Sequence, residues 1–193
     1  MKKRQIVALA SVLLVGGVVV SASSSAAKST KTQVDFWEVG CVLDPGTSWI
    51  SEDGVFHGRG RVATGVFYDA DDFARVGTDT VVGNANLDPV TGTGRLFGTF
   101  SLEYLPDSYP GTFDGTWNSS LAGWVSSFGR AVGQGTGELH GMKMKLKLVG
   151  DPTVEIPDGL LAAVAADPEF PCALDEISGI GRDTGFIHSP RGD

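Results

Sequence analysis

Acid–base chemistry in this chain would fall to Glu38, Glu138 and His140, provided the fold aims them at one interior. Each lies in a stretch of alternating polarity, and side chains two apart on a strand share a face. Glu38 has the parity of Phe36. Glu138 and His140 have the parity of Met142, Met144, Leu146 and Leu148. Two inward carboxyls could act as general acid and base. Aromatic and methionine side chains on the same apolar faces would supply walls. The expected interior ligand site is therefore Glu38, Trp117, Glu138, His140 and Met142. Glu138 and His140 project inward only if Gly141 inserts no bulge. The alternative puts one or both glutamates at a rim, in water.

Other chemistries lack their residues. The chain has no H-E-x-x-H, C-x-x-C, P-loop or G-x-S-x-G pattern. His57, His140 and His188 are far apart, so a zinc site would require the fold to gather all three. Asp69, Asp71 and Asp72 cluster without the ligand count or spacing of a calcium loop, and read as solvated acids. His57, Arg59 and Arg61 share one face of a strand. A solvated outer face explains them, with an anion-binding patch as the sharper alternative. No metal, cofactor or catalytic residue is assigned.

The elements that would position these residues are strands. From Gly92 to Val149 short alternating runs follow one another, with glycine inside them as well as between them. Glycine within a strand marks a bulge, a bend or a close approach, as a sheet needs when it curls closed. The expectation is an all-β domain: a single antiparallel closed barrel of about eight strands. Gln33–Leu43 carries apolar residues on both parities and should be covered on both faces. Further strands are expected over 47–51, 55–69, 79–87, 95–104, around Phe113 and Trp117, over 138–148 and over 177–187. Residues 124–137 read as less regular. Pro157-Asp158-Gly159 followed by LLAAVAAD predicts a short helix with Asp158 as N-cap. Residues 152–174 then form a helical appendage near the C-terminus.

Lys2, Lys3 and Arg4 precede an apolar run from Ile6 to Val20, then small residues at cleavage positions. Residues 1–27 read as a secretory signal peptide, 28–32 as a flexible leader and 33–193 as the barrel domain. A retained anchor is the alternative, but the run is shorter than the roughly 20 residues that span a bilayer. Beyond residue 27 the chain has 12 basic against 23 acidic side chains, a net charge of −11. Such a surface repels nucleic acid and anionic lipid. A secreted protein without nucleic-acid partners or a membrane span is expected. In that compartment Cys41 and Cys172 should form a disulfide pinning the appendage to the first strand; two separate buried thiols are the alternative. The terminal Arg191-Gly192-Asp193 has the form of an adhesion tripeptide, a match that arises readily by chance.

Trp49-Ile50-Ser51 through Gly58-Arg59-Gly60, Asn84–Asp88, Gly94–Thr99, Gly115-Thr116-Trp117 and Gly133–Gly141 stand in an order covering much of residues 37–149. That order resembles a family of exported bacterial proteins of unassigned function, whose barrel is similar to those of plant allene oxide cyclase and dirigent proteins. The resemblance implies an eight-stranded barrel with an interior pocket and transfers no catalytic residue. Relatives often have histidine in a G-H-G-T-G run, where this chain has Gln134. Three functions follow as expectations. The first is a binding barrel for a small, largely apolar molecule. The second is an isomerase or cyclase using an interior carboxylate. The third is a surface-interaction module acting through the outer face or the appendage.

Overall fold

The computed structural model describes residues 30–105, 111–151 and 153–189. The signal-peptide reading and the terminal Arg191-Gly192-Asp193 lie outside the described residues. Among the described residues, nine strands and one short α-helix make up the regular structure: β1 (Lys31–Asp44), β2 (Thr47–Ile50), β3 (Phe56–Asp69), β4 (Arg75–Asp88), β5 (Thr93–Tyr104), β6 (Gly111–Ala122), β7 (Ser126–Gly135), β8 (Lys143–Gly150), α1 (Asp158–Ala166) and β9 (Ile177–His188). All neighbouring strands pair antiparallel. β1 pairs with β9 on one side and β3 on the other, so the sheet closes into an eight-stranded barrel with no open edge around it. β2 is an extra strand added along the start of β3. β1 begins at Lys31, which takes the last two residues of the expected leader into the sheet.

β1 is covered on both faces, as its two apolar parities require. Val34 and Phe36 join Phe67, Leu102, Phe113, Met144 and Ile187 in the barrel core. Trp37 and Val39 face outward, where with Val66 and Tyr68 they bury Leu160 and Val164 of α1. A Cys41–Cys172 disulfide closes the appendage onto β1 across 131 positions. The Asp167 carboxylate, just past the helix, accepts from Tyr68 Oη (2.9 Å) and from Arg75 Nη1 (3.1 Å). Pro157, not Asp158, occupies the N-cap, and Asp158 is the first helical residue.

Three local readings are corrected. Residues 138–142 are not strand: Gly137–Leu139 form a 3-10 turn and Gly141 adopts φ +85°, so β8 starts only at Lys143. Residues 126–135 are regular strand. The pattern looked irregular because their inner positions are Gly129, Ala131, Gly133 and Gly135. Small residues are needed there: a Cβ on Gly133 would lie 3.0 Å from the Phe100 ring, and one on Gly115 across the ladder 2.8 Å from it. In β3, Gly58 pairs with Ala85 but Arg61 pairs with Gly83, so one strand advances farther than the other. This bulge at Gly60, where φ is +67°, inverts the pleat. Phe56 therefore does not share a face with Val66 and Tyr68.

His57 and Arg59 lie on the outer face. Trp49 stacks on the His57 ring at 5.1 Å, and the Arg59 guanidinium donates to Gly58 O, Ala85 O and Asn86 Oδ1. Arg61 is exposed. Asp69 and Asp72 cap their own turn, accepting from the N–H groups of Asp71 and Ala74.

Candidate functional site: a carboxyl cluster in a half-filled barrel

One end of the barrel is packed solid. Phe36, Phe67, Phe113, Leu139 and Ile187 fill it with Tyr104, and the 3-10 turn seals it by inserting Leu139 beneath Gly111 and Gly135. The other end is hollow, with a cavity of about 310 Å³. That exceeds the space of a few waters, at about 30 Å³ each, and reaches the lower end of small-molecule sites. Phe67, Phe100, Leu102 and Met144 form its floor. Val81, Leu96, Trp117, Ala131, Leu146 and Leu148 form the walls, and Ser127, Gly150 and Ser178 lie toward the strand ends.

The hollow follows from glycine at neighbouring inward positions. Gly40 on β1 pairs with Gly65 on β3 and with Gly179 on β9. In the next row Glu38 lies between Phe67 and Gly181. A Cβ on Gly179 would meet nothing within 4 Å, and one on Gly181 only the Val149 carbonyl. Glu38 thus projects into space its neighbours leave empty. It is half-buried, and its remaining accessible surface opens into the cavity.

Two further carboxyls come to the same place. Asp79 on β4 pairs with Gly65 and Asp183 on β9 pairs with Phe36; they are 4% and 2% exposed. Glu38 Oε1 and Asp79 Oδ1 lie 2.9 and 2.8 Å from the point where a Gly65 Cβ would stand, so that glycine makes room for both. The Glu38 and Asp183 carboxyls act directly on each other, an interaction that holds the Glu38 pKa down against burial and pushes that of Asp183 up. Burial raises the pKa of all three above the usual carboxylate range, most strongly for Asp79 and Asp183. The negative charge of Glu38 pushes both aspartates further up. Backbone N–H groups, of Gly65 toward Asp79 and of Val149 toward Asp183, oppose this only in part.

Four buried polar atoms here have no protein hydrogen-bond partner: Asp79 Oδ1, Asp183 Oδ2, Ser119 Oγ and Trp117 Nε1. Buried polar groups are ordinarily paired, so four such atoms in the lining of one cavity mark unused bonding capacity. Among the described residues, no group of three or more His, Cys, Asp or Glu side chains has the geometry to hold a metal ion.

Of the five expected site residues, the structure brings Glu38 and Trp117 together in the cavity lining. Met142 is half-buried against the packed end. Glu138 and His140 are exposed on the turn that seals that end. Their inward projection is corrected, because Gly141 ends the alternation on which it depended. Asp79 and Asp183 were missed, although each carried a signal: Asp79 shares parity with Val81, and Asp183 with Ile187. No protein-family model matches the chain, and no curated protein is significantly similar to it. Among the described residues no helix is long and apolar enough to cross a membrane.

Proposed function

We propose that this is a secreted binding protein that takes up a small, largely apolar molecule inside its barrel. The observation that carries the reading is the 310 Å³ cavity, apolar over most of its wall, with three carboxyls and a few other polar groups in its lining. That combination is the usual composition of a small-molecule site. Export is supported by the basic and apolar N-terminal pattern and by the Cys41–Cys172 disulfide, a bond that persists in oxidising compartments. The likeness to the allene oxide cyclase and dirigent type of barrel belongs to the same reading, since it implies an interior pocket. Gently purified protein should carry a bound mass in native mass spectrometry or, once stripped, enhance the fluorescence of an apolar dye. A protein with neither property ends the reading.

The carboxyl cluster favours a second reading, an isomerase or cyclase in which Glu38 and Asp183 exchange a proton with bound substrate. Carboxyls with raised pKa are suited to general acid–base work near neutrality. Small apolar epoxides and enones, screened for mass-neutral conversion, test it. Turnover should vanish in Glu38→Gln while dye uptake persists.

A further inference from the structure

We infer that the cavity is built for a cation: an apolar amine whose ammonium group sits against Glu38, Asp79 and Asp183. This rests on the proposed binding function and names the ligand's chemistry. Every charged side chain in the lining is acidic, one each from β1, β4 and β9. The other five barrel strands contribute only apolar residues, hydroxyls and glycines, so no described lysine, arginine or histidine neutralises the three acids from within. An anionic ligand would meet carboxyls and no counter-charge.

Ser119 is an independent pointer. It stands on β6, outside the acidic group, is 7% exposed, and its Oγ has no partner although it lines the same cavity. With Asp79 Oδ1 on β4 and Asp183 Oδ2 on β9 it makes three oxygens of the lining without a protein partner. An ammonium presents three donors and no acceptor, which suits the carboxyl oxygens of that set once a proton has left them. A neutral hydroxyl brings one donor and leaves most of the set unpaired. Trp117 in the cavity lining adds an aromatic surface of the kind that favours cations.

The proton balance is explicit. Without a cation the cluster holds protons, because buried carboxylates this close cannot all ionise. An entering ammonium keeps its own protons and displaces a carboxyl proton to solvent. Binding should therefore release protons and weaken as pH falls through the raised carboxyl range.

Isothermal titration calorimetry with three matched probes tests this: cyclohexylmethylamine, cyclohexylmethanol and cyclohexanecarboxylate, at pH 7 in two buffers of different ionisation enthalpy. The amine should bind roughly 10- to 100-fold more tightly than the alcohol, the worth of one charge-assisted hydrogen bond. It should release protons, and the carboxylate should not bind. Glu38→Gln should erase most of the preference; Asp183→Asn serves if that variant fails to fold by circular dichroism. An alcohol bound as well as the amine overturns the inference and leaves the binding function standing. A preference for the carboxylate, or an amine preference that survives both substitutions, also overturns it. Failure of all three probes and of the apolar dye removes the inference and the binding function together.

Discussion

Asp183 shows what one buried carboxyl does to this protein's stability. Its pKa is raised in the folded chain, and an unfolded aspartate titrates near about 4. Below that value both states hold the proton and nothing is lost. Above it the unfolded state releases its proton while the folded state keeps one, so stability falls as pH rises toward the folded value. Asp79 and Glu38 act in the same direction. Each retained proton costs up to about 1.4 kcal/mol per pH unit across that window. Thermal melts from pH 4 to 8 should show the unmodified protein losing stability steadily, and Asp183→Asn should flatten that decline and melt higher at pH 7. A profile that instead rises toward neutrality would show that the cluster is not proton-bound. Parity alone placed Glu38 beside Phe36. The convergence of Asp79 and Asp183 on it required the register of three strands, which no local pattern contains.

At the level of elements, bulges and turns decided what could be read. The alternation of β4, β5 and β8 survives intact, and those strands were visible. The Gly60 bulge inverts β3 midway, and the turn at Gly137–Gly141 breaks a run that looked continuous. Glycine announced that irregularity would occur, but not on which side of it the pattern would resume. The appendage was legible as a helix and a cysteine, and its place became clear only from Trp37 and Val39, whose outer face it covers. Barrel closure rests on the β1–β3 and β1–β9 ladders and not on the disulfide. Replacing Cys41 and Cys172 with Ala should therefore cost about 4 kcal/mol in denaturant unfolding, as loss of so long a loop implies, and still leave a closed barrel. Hydrogen exchange should rise first over 158–166 and change little in β5 and β6. Equal deprotection of β5 and β6 would mean that the bond holds the barrel itself.

The whole molecule is a barrel filled from one end only, and glycine placement sets the boundary between its filled and empty halves. Two substitutions separate glycines that create the cavity from glycines that the cluster cannot spare. Gly179 faces the hollow in extended backbone, and a Cβ there meets no atom within 4 Å. Gly179→Leu should fold, with stability unchanged or raised by up to about 1 kcal/mol through lower unfolded-state entropy. It should also occupy the space beside Glu38 and abolish dye or amine uptake. Gly65 has the same chemistry in a different place, its Cβ position already crowded by Asp79 Oδ1 and Glu38 Oε1. Gly65→Ala should therefore destabilise by roughly 1–3 kcal/mol, the usual range for overpacking. Denaturant midpoints and dye titrations on both variants measure the contrast. If Gly179→Leu binds like the unmodified protein, the ligand does not occupy the hollow beside Gly179. If Gly65→Ala is neutral, the carboxyls have room to separate and are not held as a cluster.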